Sequence, residues 1–362
     1  MNHVETNNSA RGFSLVELMI AIMLGLILIA GVIQVFLGNR QTQLSEQSVA
    51  RVQESGRMAL DFIQQDLRVA GFYGAGNFSN QLTSIAFSNL ATGSAYAQYT
   101  NFSSNAIRTY TKSTSGAWSP SAPSSNDMSA TAISNARNGS DLVAIFYGYD
   151  TGAAITSTVS GTTNVPIKFS NATSSCFNSG DLAMLSSLTN AVIFKVTNSP
   201  ACTALTQSLQ HSTTGNSNSS LGGTYDQYSR VMKLQHRVYY VGNTGRTNSK
   251  NEPVWALYRS DNGGAPEELV EGIEFLKFQF GERLSSGNVR YGDASVVTQS
   301  GVTSARIGVL AQGLDPIRTV ADTDSYDVTG TGATVNPSTM GDGTKTLRRV
   351  FVSNVELRNR TQ

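Results

Sequence analysis

Residues 13–37 read FSLVELMIAIMLGLILIAGVIQVFL, an apolar run interrupted by one ionisable residue, Glu17. About 25 residues of helix span roughly 30 Å of hydrocarbon, so this run predicts a membrane-crossing helix. The pattern then changes. From Leu44 the apolar or small positions are Leu44, Ser48, Val52, Ser55, Ala59, Phe62 or Ile63, Leu67 and Ala70. That three-to-four spacing marks one helical face. Arg40, Glu46, Arg51, Glu54, Arg57, Asp61, Asp66 and Arg68 occupy the polar positions, and Arg57 and Asp61 have the i,i+4 spacing of a weak helical ion pair. Gly71-Phe72-Tyr73-Gly74 ends the pattern with a glycine stop. The apolar stripe is expected to dock on a sheet. No proline precedes Pro120. Gly25, Gly31 and Gly38 read as tolerated glycines or as points of bending and close helix packing.

Downstream, residues 75–138 are rich in Ser, Asn, Ala and Thr and read as a long connecting region. Strand-like runs follow at 141–149, 181–185 with 191–197, 230–241, 253–259, 272–280, 304–311 and 347–357. Within 272–280, Ile273, Phe275 and Lys277 alternate with Glu274, Leu276 and Phe278, giving two partly apolar faces. One long helix followed by many antiparallel strands defines an α+β fold, a transmembrane helix packed on an antiparallel sheet. The expected organisation is a leader over 1–12, a membrane helix over 13–37, its amphipathic extension over 38–74 and a β-rich head over 75–362.

Composition narrows the function. Charged residues make up 14% and the net charge is +1, so the overall balance attracts no nucleic acid. Trp118 and Trp255 lie far apart in sequence, outside any basic run. The pair Arg348-Arg349 reads as a solvated strand edge. Two cysteines, Cys176 and Cys202, suggest one disulfide in an exported chain, closing a loop on the order of 25 residues worth about 3–4 kcal/mol. The other reading is two separate buried thiols. His3, His211 and His236 show no metal-ligand spacing with them. Asp322, Asp324, Asp327 and Asp342 sit in a Thr/Gly-rich segment and could hold calcium through oxygen ligands, but not with the spacing of a known calcium loop; a solvated loop is the stronger reading. No G-x-S-x-G elbow occurs, and no strand–turn–helix with a lysine follows the glycine-rich 215–223 stretch. The chain is expected to be no enzyme and to carry no cofactor or metal.

The N-terminus resembles a family. The small residue and adjacent charge, Arg11-Gly12, lie before the apolar core, the reverse of an ordinary secretory signal. Gly12-Phe13-Ser14-Leu15-Val16-Glu17-Leu18 is similar to the processing motif of type IV prepilins and secretion pseudopilins. The resemblance implies cleavage between Gly12 and Phe13 by a prepilin peptidase and N-methylation of Phe13. It also implies a role in assembly for Glu17, whose carboxylate would meet the terminal amine of a neighbouring subunit. Further segments resemble the PilW minor pilins: Gly180-Asp181-Leu182-Ala183, Leu257-Tyr258-Arg259, Leu269-Val270-Glu271-Gly272-Ile273, Arg306-Ile307-Gly308-Val309-Leu310 and Phe351-Val352-Ser353-Asn354-Val355-Glu356-Leu357-Arg358-Asn359. That resemblance implies a pilin-like head in the periplasm, an inner-membrane anchor and then a place in the pilus. The implied partners are other minor pilins, the major pilin and a PilY-type tip protein. The implied role is priming the filament and ending at its tip. The alternatives are a J-type pseudopilin of type II secretion and a ligand-binding tip adhesin.

Overall fold

The computed structural model describes residues 14–74, 106–119, 123, 134–170, 176–199, 201, 205–293, 296–297, 301–343 and 345–360. Its helix, α1 (Leu15–Val69), runs unbroken for 55 residues. The large apolar side chains from Leu15 to Leu37 all lie exposed, with nothing of the described head against them. The first tie is Gln41, whose Nε2 donates to the Ile317 carbonyl at 2.9 Å. The buried stripe then runs Ser48, Val52, Gly56, Ala59, Leu60, Ile63, Asp66 and Leu67. The stripe differs from the expected one: Leu44 stays exposed and Ser55 half-exposed, while Gly56, Leu60 and Asp66 are buried.

Among the described residues the strands are β1 (Ile107–Lys112), β2 (Trp118–Ser119), β3 (Asp141–Ile155), β4 (Val159–Ser160), β5 (Val165–Phe169), β6 (Leu182–Ser186), β7 (Ala191–Lys195), β8 (Thr206–Leu209), β9 (Thr224–Tyr225), β10 (Arg230–Thr247), β11 (Pro253–Asp261), β12 (Glu267–Glu271), β13 (Ile273–Arg283), β14 (Val289–Gly292), β15 (Val302–Pro316), β16 (Tyr326–Asp327), β17 (Thr334–Val335) and β18 (Thr346–Glu356). The larger sheet has the order β12-β11-β10-β3-β1-β2, with β5 and β8 branching from β3, and β6 and β7 from β10. The smaller sheet has the order β14-β13-β15-β18. Every strand pairing within them is antiparallel.

The helix stripe packs into one apolar core with both sheets. Val143, Ile145, Tyr239 and Val241 enter it from the larger sheet, and Leu276, Phe278, Ile307 and Val309 from the smaller one. Strand alternation sends Leu142, Ala144, Phe146, Val238 and Tyr240 to a second cluster on the opposite face. The centre of the larger sheet is therefore buried on both sides, which explains the near-continuous apolar run at the start of β3. The chain passes from one sheet to the other through a single residue, Gly272, at φ +80°. A Cβ there would sit 2.8 Å from the Gln312 carbonyl oxygen, while the Gly272 N–H donates to Trp255 O at 2.8 Å and its carbonyl accepts from Gln312 N at 2.7 Å. Only glycine tolerates that φ together with that approach.

Each expected strand run falls within or across an observed strand. The reading of 75–138 as connection is corrected in part: 107–112 and 118–119 form β1 and β2, while 75–105 and most of 120–133 lie outside the described residues. The pattern also misses β4, β5, β8, β9, β12, β14, β16 and β17, which are all short, and β5 contains Pro166. In β13 the register shifts between Ile273 and Phe275. This bulge places Ile273 on the same side as Leu276 and Phe278 and turns Glu274 into a buried site.

Helix docking makes a direct prediction. A Cβ added at Gly56 would lie 2.2 Å from the Phe351 ring. Gly56→Leu should therefore force helix and sheet apart and cost about 1–3 kcal/mol. Thermal unfolding of the detergent-solubilised protein should show a lowered midpoint; an unchanged midpoint would mean that this face does not carry the docking.

Candidate assembly site

The helix start combines two features. Ser14 occupies the N-cap position in extended conformation, and its carbonyl accepts the Leu18 N–H at 3.1 Å. Glu17 lies in the first turn, where the helix dipole favours a negative group. Its side chain is exposed and forms no ion pair with any described residue. At 1.5 Å per residue, Glu17 stands about 36 Å along the helix from Gln41, away from the described part of the head. Gly12 and Phe13, the expected cleavage and methylation positions, lie outside the described residues. By length and composition α1 (Leu15–Val69) contains a stretch long and apolar enough to cross a membrane.

The other end of α1 is anchored by charge. Asp66, assigned by its spacing to the polar side, is buried instead. Its carboxylate accepts from Tyr239 Oη at 2.5 Å, Arg237 Nη1 at 2.7 Å and Tyr147 Oη at 3.4 Å. The chain beyond is stitched to β3: Gly71 N donates to Phe146 O at 2.8 Å, and Gly148 N to Phe72 O at 2.6 Å. The helix is thus bare at one end and locked into the sheets at the other.

A second charged cluster overturns the reading of Arg348 as a solvated edge residue. Arg348 Nε and Nη2 grip Glu274 at 2.7 and 3.0 Å, Nη1 lies 3.3 Å from Asp322, and Nη2 also donates to the Gly343 carbonyl at 2.6 Å. Side-chain exposure is 0% for both Arg348 and Glu274. Arg137 pairs with Asp342 and stands 3.6 Å from Glu274. Arg318 holds Asp322 at 2.9 Å, and Tyr326 donates to it at 2.6 Å. Burial pushes the Glu274 carboxyl up, and the Arg348 and Arg137 guanidinium groups pull against that. The cluster fastens the segment after β15 over the outer face of the smaller sheet, where its Val328 and Val335 pack with Phe275 and Leu310.

The four aspartates of that segment are dispersed. Asp322 and Asp342 belong to the arginine cluster. Asp327 accepts turn N–H groups from Thr329, Gly330 and Gly332, and Asp324 N donates to Asp322. Among the described residues no group of three or more His, Cys, Asp or Glu side chains is placed to hold a metal. His211 Nε2 lies 2.9 Å from the Thr163 carbonyl, and His236 stacks on Phe146 at 4.2 Å. Cys176 is half-buried beside a third apolar cluster and is not a free thiol; Cys202, its expected partner, lies outside the described residues.

The comparisons with known proteins fit this layout. Residues 7–33 match the prokaryotic N-terminal methylation motif, which together with the long apolar helix defines the class: a prepilin-type, membrane-anchored protein. Residues 238–359 match the family described as Type IV Pilus-assembly protein W. The chain thus carries a prepilin-type N-terminal motif and is similar over residues 238–359 to the PilW family of pilus-assembly proteins. No curated protein matches it. Among solved structures it is similar to a type IV-like pilin from Thermus thermophilus, with 10% identity, coverage of 86% of this chain and 98% of that one, and a TM-score of 0.29.

Proposed function

We propose that this chain is a minor pilin that primes assembly of a type IV pilus and sits at the filament tip. It would be held first in the inner membrane with its head in the periplasm, and would work with other minor pilins, the major pilin and a PilY-type tip protein after processing by a prepilin peptidase. Its role is structural, not catalytic. The observation that carries this reading is the two-part helix. An apolar length of α1 has no partner among the described residues, so it is available to lipid and then to neighbouring subunits, while 48–67 fixes the head rigidly to it. The match of 238–359 to the W family favours pilus assembly over a secretion pseudopilus.

Gly12→Val tests processing and role together. The expected result is a precursor that keeps its leader and a strain with as few surface filaments as one lacking the gene. A mature Phe13 terminus in the variant would defeat the cleavage assignment. Normal piliation without the gene would defeat the priming role, and immunogold label spread along the filaments would defeat the tip location.

The same reading pairs Cys176 with Cys202 in the oxidising periplasm. Non-reducing peptide mapping should recover the two as one linked species, and replacing both by Ser should cost about 2–5 kcal/mol. Two alkylatable thiols in native protein would end the pairing.

A further inference from the structure

A concavity of about 560 Å³ opens between the larger sheet and the segment after β15, lined among others by Lys112, Asn135, Arg137, Asn138, Asn243 and Trp255. Its volume lies in the range of small-ligand sites. The floor holds two cations and one carboxylate: Asp342 is taken up by Arg137 and by Trp255 Nε1 at 3.2 Å, which leaves Lys112 as the cation without a carboxylate. Lys112 is largely buried, its Nζ donates to the Ala136 carbonyl at 2.6 Å, and no carboxylate pairs with it among the described residues. Burial holds its ammonium below the usual lysine range, the mark of a charge short of a counter-ion. Arg137 is 3% exposed, and its Nε and Nη1 meet no acceptor. The rim is made of amides. Asn135 and Asn243 are exposed. Asn243 uses its Oδ1 on Gly245 N, and Asn138 uses its Nδ2 on Thr114 O. The Asn243 amide nitrogen and the Asn138 amide oxygen remain without a bond among the described residues.

We propose that this pocket binds an acidic saccharide, with its carboxylate on Lys112 and its hydroxyls on the asparagine amides. Amides offer a donor and an acceptor on one planar group, which suits vicinal hydroxyls. A buried, unpaired ammonium gains most from an anion, through a charge-assisted hydrogen bond. Stacked nucleic-acid bases suit the site poorly. Trp118 carries Lys112 at 5.5 Å, and Trp255 carries Arg137 at 4.1 Å. Each indole therefore has one face engaged by a cation, where base stacking needs an open aromatic platform.

The chain's two tryptophans therefore report on the site. Full-length protein in detergent is titrated with glucuronate, glucose, N-acetylglutamate and a thymidine oligomer, followed by tryptophan fluorescence and calorimetry. Glucuronate should saturate, with glucose and N-acetylglutamate at least about tenfold weaker. Lys112→Met should erase the preference over glucose. Asn135→Ala, at an exposed position that leaves the fold untouched, should weaken both sugars and so serves if the lysine variant fails to fold. Equal binding of glucose and glucuronate overturns the role of Lys112. N-acetylglutamate binding as tightly as glucuronate assigns the site to acidic peptides, tighter oligomer binding assigns it to nucleic acid, and no saturable signal with any probe removes the site; each of these overturns the proposal.

Discussion

Arg348→Met should cost about 3–5 kcal/mol, because it leaves Glu274 as a buried carboxylate short of its bidentate partner. Against a typical stability of about 5–15 kcal/mol, that is a large fraction, and thermal or urea unfolding in detergent should show it plainly. The loss should depend on pH. Without Arg348, burial raises the Glu274 carboxyl further above its unfolded value of about 4.3. A carboxyl raised in the folded state contributes most below the unfolded value, and that contribution is lost as pH rises through the folded value. The deficit should therefore be largest at neutral pH and shrink on acidification toward about pH 4.3. The double variant Arg348→Met/Glu274→Gln removes the stranded charge and should recover much of the loss at neutral pH. A single variant as stable as the parent at pH 7 would show that the cluster does not hold the segment after β15 in place.

The helix and the main strands were legible because their patterns repeat. The stripe from Ser48 to Leu67 and the alternations in β10 and β15 each carry several residues of one period. The charged cluster was not legible. Glu274 and Arg348 occupy positions that an unbroken alternation assigns to a partly solvated strand, and their meeting depends on a bulge in β13 and on 317–345 folding back across the sheet. Asp66 was misassigned for a similar reason. Its spacing places it beside Leu67, at the boundary of the stripe, and only Tyr239, Tyr147 and Arg237 on distant strands make its burial tolerable. The pocket joins Lys112 to Trp255 across more than a hundred residues of chain, beyond the reach of local pattern. A hint lay in Asn243 and Trp255 as register partners on neighbouring strands, which becomes visible only once the pairing is known. The N-terminal motif was readable in full as sequence, because its meaning is carried by order along the chain and needs no fold.

Glu17→Ala should abolish or sharply reduce pilus assembly while leaving the protein folded, processed and membrane-bound. The described part of the head does not use this residue: Glu17 lies about 36 Å along the helix from the contact at Gln41, and it makes no ion pair with any described residue. In a membrane the substitution removes a charge that costs roughly 2.5–3.5 kcal/mol at the centre of a helix on insertion scales, so insertion should be unaffected or improved. On the proposed reading, what assembly loses is the partner of a neighbouring subunit's terminal amine. Removing one member of a buried pair strands the other at a cost of about 3–5 kcal/mol, and at about 1.4 kcal/mol per factor of ten that lowers the association constant by at least a hundredfold. The measurements are filament yield beside a strain lacking the gene, co-purification of other pilins from membranes, and the thermal midpoint of the isolated protein. The expected pattern is few filaments, weak co-purification and an unchanged midpoint. A lowered midpoint would place Glu17 in the fold after all, and wild-type filaments with wild-type co-purification would show that the glutamate does not carry assembly.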